Sequence, residues 1–228
     1  MRRNDRIQRV SGAAAASLVL AAGLVAIAGA ASITVVDQSG EPLQHAVVTA
    51  IRAGDTARPA PVNDRTIAQL NQQFLPRVTV LPSGARVAFP NRDTTQHHVY
   101  SFSKPKPFEI ELYKGDNPEP VVFDTPGIVA LGCNIHDWML GYVYVTTDEY
   151  FAVSAADGTL ELDVSLHELG NLTVWHPAAT ELAPRTIAAA SLASDAGGPL
   201  ILVVPTRADD PLAFEIDPLQ LLFGEGAQ

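Results

Sequence analysis

The chain is poor in sulfur, in positive charge and in long apolar runs. Its 228 residues include one cysteine, Cys133, and one methionine besides the initiator, Met139. A single cysteine cannot make an internal disulfide, and zinc sites built from several thiolates are excluded as well. Basic residues number 15 against 25 acidic ones, for a net charge of −10. That balance argues against nucleic acid or an anionic lipid surface as partner. One apolar run stands out, Ala13 to Ile27, preceded by Arg2, Arg3, Arg6 and Arg9 and followed by Ala28-Gly29-Ala30. A charged start, a short apolar middle and an A-x-A site describe a secretory signal peptide over residues 1–30, with Arg2-Arg3 a weak twin-arginine hint. The expected location is periplasmic or secreted, with no membrane contact after cleavage. Losing the four arginines and Asp5 takes the net charge to −13. In an oxidising compartment a lone thiol is a liability, so Cys133 is expected to be buried or bound.

What remains reads as strands. Ile33-Thr-Val-Val and Ala46-Val-Val-Thr-Ala-Ile51 flank a Ser39-Gly40 turn signal. Val78–Leu81, Arg86–Phe89, His97–Phe102, Ile128–Leu131 and Gly141–Val145 are short β-branched or aromatic runs. Phe108-Glu-Ile-Glu-Leu-Tyr alternates as a half-buried strand does. Tyr150–Val153, Leu160–Val164, Leu172–Trp175 and Leu200–Val204 form a later set. Apart from the signal peptide, only Ile67–Phe74 has helical character. Many short strands with Gly and Pro turns predict an all-β chain of one sandwich or two. The acidic tail, 206–228, is expected to be loosely ordered.

The chemistry is concentrated in Leu131–Val143. Cys133 and Met139 lie six residues apart with His136 midway. Thiolate, imidazole and thioether together are the donor set that selects copper, with the thioether suited to a long axial position. Such a site needs a second imidazole, and Gln96-His97-His98-Val99 offers one from an earlier strand. Neighbours on a strand face opposite ways, so one of His97 and His98 enters the site. Asn91 and Asp93 are expected to shape the turn before them. Trp138 would shield the metal edge, present a contact surface or simply pack. Trp175 and His176 are expected in the core and at the rim.

These motifs carry a resemblance. Cys133-Asn-Ile-His136-Asp-Trp-Met139 with Gly141-Tyr-Val resembles the ligand loop of amicyanin, in the cupredoxin superfamily. Phe89-Pro-Asn-Arg-Asp with His97-His-Val, and Phe123-Asp-Thr-Pro-Gly-Ile-Val-Ala-Leu-Gly-Cys, are similar to the segments that bring in the first histidine and the cysteine. His97 matches the ligand, and His98 falls where an asparagine that braces the ligand loops is usual. The resemblance covers about residues 66–147 and extends to plastocyanin-like proteins labelled methylamine-utilization proteins. It implies a Greek-key β-sandwich holding one type 1 copper ion through His97, Cys133, His136 and Met139. The flanks, 31–55 with 148–205, resemble carboxypeptidase regulatory-like (transthyretin- or Ig-like) segments, which implies a second small β-sandwich with the first inserted in it.

A type 1 site has no open equatorial position, so the implied function is one-electron transfer rather than catalysis. The neighbours of Cys133 are Gly132 and Asn134, so the histidine that bridges to a second metal in copper nitrite reductases is missing. The expected partner is a redox protein, such as a basic cytochrome or a dehydrogenase, on the charge argument alone. The alternative is a non-redox binding or assembly module, or a protein that holds copper.

Overall fold

The computed structural model describes residues 29–55, 60–115, 119–192 and 199–208. Most of the expected signal peptide and of the acidic tail lies outside the described residues. The chain opens with β1 (Ala31–Val36) and β2 (Val47–Arg52). It continues through β3 (Arg65–Thr66), β4 (Ala68–Leu70), β5 (Gln73–Leu75), β6 (Val78–Pro82) and β7 (Ala85–Ala88). Next come β8 (His97–Ser101), β9 (Phe108–Tyr113), β10 (Val121–Phe123), β11 (Gly127–Cys133) and β12 (His136–Thr146). The last described strands are β13 (Tyr150–Val153), β14 (Thr159–Leu162), β15 (Leu169–Trp175), β16 (Arg185–Ala188) and β17 (Leu200–Val203). Two short 3-10 turns, Leu166–Glu168 and Ala189–Ser191, are the helical elements among the described residues, so the fold is all-β. No helix among those residues is long and apolar enough to cross a membrane.

Strands β3–β12 supply one sandwich. A five-stranded sheet, in the order β6-β12-β11-β8-β9, faces the small sheet β10-β7-β3. Alternation decides what lies between them. On β11, Val129, Leu131 and Cys133 point inward, and on β12 Met139, Val143 and Val145 do. Phe74, Phe89, Val99 and Phe123 close this core. The cysteine and the methionine thus belong to the apolar interior by the same period-two rule that buries the valines.

The remaining strands supply the second sandwich, with sheets β14-β1-β17 and β13-β2-β15-β16 around Ile33, Val35, Val48, Leu162, Leu172 and Leu202. The first sandwich sits in the chain between β2 and β13, which pair antiparallel from Val47↔Val153 to Tyr150↔Ala50. Its entry and exit are therefore adjacent. The outer faces of the two sandwiches then meet. Val47 and Trp175 from one pack on Val78 and Tyr144 from the other, with Ile128, Leu140 and Tyr142 at the margin. Strand β2 is buried from Val47 to Ala50 on both faces because it is sandwiched twice. Hence its sequence, Val47-Val48-Thr49-Ala50, does not alternate, and the one polar member, Thr49, is bonded through its hydroxyl to Asp148.

Two expectations are corrected. Ile67–Phe74 is not helical: it contains β4, a turn and the start of β5, and it pairs Ala68↔Leu75 through Leu70↔Gln73. Asn71 and Gln72 take φ of 53° and 54°, the left-handed pair that a tight two-residue hairpin requires. His176 is not at a rim. It is 3% exposed, with Nε2 on the carbonyl of Gln44 and Nδ1 accepting the amide of Ala178.

Candidate metal centre

The donors come from three strand ends at one end of the first sandwich. Strand β8 alternates, with His97 and Val99 on the core side and His98 on the other face. His97 is fully buried, whereas His98 carries its ring to Glu109 on β9, Nε2 to Oε1 2.8 Å. Cys133 ends β11 and pairs with His136, which opens β12; Asn134 and Ile135 form the hairpin tip between them.

A regular hairpin would send His136 and Met139 to opposite faces, because they differ by an odd number of residues. The ladder is broken between Gly132, which pairs with Leu140, and Cys133, which pairs with His136. That bulge turns His136 back toward the cysteine, the re-aiming that bulges perform beside functional sites. Gly132 has a local reason too. A Cβ there would stand 2.8 Å from Cζ of Tyr100, whose ring lies over the strand.

The three donor atoms converge. Nδ1 of His97 is 3.1 Å from Nδ1 of His136, and Sγ of Cys133 is 3.8 Å from the first and 3.6 Å from the second. The point equidistant from the corners of that triangle lies about 2.0 Å from each, against roughly 2.0–2.3 Å for first-row metal bonds to imidazole nitrogen and thiolate sulfur. One soft and two borderline donors around such a point fit copper. Met139, 2% exposed, lies in the same core cluster as Cys133. Trp138 sets its ring 5.5 Å from that of His136, and Ile135 is exposed at the tip.

The electrostatics suit a thiolate. Burial pushes the Cys133 thiol up, but His97 and the backbone amides of His98 and Ile135 outweigh it, so the pKa lies below the ordinary value. Burial likewise opposes charge on His97, yet its hydrogen bonds with Cys133 and Asp93 hold its pKa above the usual one. His136 is pushed down, by burial first and then by the charge of His97. Asp93, His97 and Cys133 also form the outline of a nucleophile, base and orienting acid. With Cys133 3% exposed and its sulfur facing a second imidazole, no substrate carbonyl can approach it.

Sequence reasoning missed one participant. The turn before His97 is held by Asn91, whose Oδ1 accepts the amide of Asp93 at 2.9 Å. The Asp93 carboxylate accepts the amides of a different turn, Asn71 at 2.6 Å and Gln72 at 2.9 Å. It also reaches Nε2 of His97 at 2.6 Å. The signal was present, an acid four residues before His97, but nothing in a loop sequence fixes where that carboxylate points.

No protein-family model matches the chain, and no curated protein does. Solved structures that are similar include a purple cupredoxin from Nitrosopumilus maritimus, 22% identical over 37% of this chain and 100% of that one, TM-score 0.32. A point mutant of amicyanin in its reduced state is 18% identical over 43% of this chain and 99% of that one, TM-score 0.33. A copper-containing nitrite reductase from Thermus scotoductus SA-01 is 24% identical over 50% of this chain and 28% of that one, TM-score 0.34. Likeness at this level assigns no function, which has to be argued from the donors themselves.

Proposed function

We propose that this chain is an exported type 1 copper protein that carries single electrons between redox partners. Cys133 as thiolate, His97 and His136 through Nδ1, and Met139 through its thioether would hold the ion. The observation that carries the reading is the triangle of one sulfur and two nitrogens with sides of 3.1, 3.6 and 3.8 Å, with His97 and Cys133 buried and His136 half-buried. When bound, copper supplies a reversible one-electron couple. The chain's own residues hold the donors in one arrangement, keep water from the sulfur and leave the edge of His136 nearest the surface. Ile135 and Trp138 flank that edge and give a partner an apolar place to dock. The net charge of −13 expected after export favours a cationic redox partner.

The test is copper loading of the purified protein. An intense visible thiolate-to-copper band that bleaches with reductant and returns on reoxidation is expected, and Cys133→Ser should abolish it. A colourless copper complex would favour a copper-holding module. A band that survives Cys133→Ser would refute the ligand assignment.

A further inference from the structure

The loop between β7 and β8 has a built interior that the donor set does not explain. Asn91 is 3% exposed; its Nδ2 donates to the carbonyls of Thr95 and Tyr113, both at 2.9 Å, and its Oδ1 accepts the amide of Asp93 at 2.9 Å. Beside it, buried Gln69 bonds the hydroxyl of Tyr113 and, at 3.0 Å, the carbonyl of Phe89. Asp93 is thereby fixed from behind, and its side chain is 11% exposed. In front, its carboxylate meets three donors: Asn71 N–H, Gln72 N–H and the Nε2 edge of His97. The two amides are presented by the left-handed pair at the tip of the β4–β5 hairpin.

We propose that Asp93 is the positioning residue of the copper centre: anchored by the β4–β5 turn, it holds His97 with the proton on Nε2 and so commits Nδ1 to the metal. A carboxylate only accepts, and a neutral imidazole has one N–H and one lone pair. With Oδ2 at 2.6 Å from Nε2, the proton belongs there and the lone pair points at Cys133 and His136. The inference rests on the copper reading for its consequence but not for its geometry. The buried negative charge would stabilise the oxidised, more positive ion over the reduced one.

The experiment combines two readouts. In copper-loaded protein, Asp93→Asn should weaken Cu(II) binding by about 10–100-fold, the usual effect of removing such a partner. The couple should rise, by about 59 mV for each tenfold by which Cu(II) loses more affinity than Cu(I). Asp93→Glu, which keeps the charge, should stay closer to wild type. A potential unchanged in Asp93→Asn overturns the inference, even while a normal visible band leaves the electron-carrier reading intact. The second readout needs neither copper nor a variant. In 15N-histidine-labelled wild-type protein without metal, the Nε2–H of His97 should appear as a slowly exchanging, hydrogen-bonded proton. An unprotonated Nε2 overturns the inference whatever the protein does with copper, whereas a bonded Nε2–H in a protein that binds no copper leaves the clamp standing and sinks only the function.

Discussion

Replacing Trp175 by alanine tests whether the two sandwiches behave as one folded unit. The indole is 4% exposed and stands on β15, at the face that meets the first sandwich. Its ring packs edge-on against Tyr142 at 5.4 Å and, tilted, against Tyr144 at 6.0 Å, and Nε1 donates to the carbonyl of Leu182 at 3.2 Å. A buried aromatic of this size removes about 150–250 Å² from water. At about 25 cal/mol per Å² that amounts to about 4–6 kcal/mol as an upper bound. Truncations of buried Phe or Trp to alanine cost about 3–5 kcal/mol. We therefore expect a loss of about 3–5 kcal/mol, read as a lower midpoint in urea followed by far-UV circular dichroism. In a chain of this length that equals about 6–20 °C in Tm. The copper band of the folded variant should be unchanged, because Cys133 and Met139 belong to a core cluster separate from that of Trp175. A loss below about 1 kcal/mol, or a wild-type protein whose copper band and dichroism melt in separate transitions, would refute the packing of the sandwiches against each other.

Three further outcomes follow from other parts of the structure. Met139→Leu conserves volume and should cost less than about 1.5 kcal/mol while keeping the visible band and moving the potential, which voltammetry would show. Gly158→Ala should destabilise the second sandwich, since φ is +75° and the new Cβ would lie 2.5 Å from the carbonyl oxygen of Val35. Left-handed backbone alone costs a non-glycine residue about 1–2 kcal/mol, so Tm should fall while the copper spectrum stays the same. Copper binding should be proton-linked, because metal ligands must be deprotonated. His97 titrates above its ordinary 6.5, so apparent affinity, measured by competition, should already weaken as pH falls through that raised value. In metal-free protein the same shift adds stability that is complete below 6.5 and disappears as pH rises through the raised pKa. Denaturation across that range should show it, and its absence would mean that His97 is not paired as described.

The parts of the centre that obey short-range rules were legible in the sequence. Period-two alternation puts Val129, Leu131 and Cys133 on one face and separates His97 from His98. Donor softness at Cys133, His136 and Met139 indicated which metal to expect. What stayed hidden depends on contacts between distant segments. The bulge at Gly132 and Cys133 has no signature in a Leu-Gly-Cys run, although it makes His136 face the sulfur. The hairpin at Asn71 and Gln72 was obscured because its apolar spacing suits a helix as well as two three-residue strands. It is settled by Asp93, more than 20 positions away, which accepts the two turn amides. Trp175 could be read as buried, but not that it is buried between two sandwiches against Tyr142 and Tyr144.

X-ray absorption on the copper-loaded protein reads directly which atoms surround the metal. One sulfur and two imidazole nitrogens are expected at about 2.0–2.3 Å from the copper, the sulfur being lost in Cys133→Ser and one imidazole in His97→Ala. A shell of oxygen and nitrogen without short sulfur, or one that His97→Ala leaves intact, would contradict the ligand assignment.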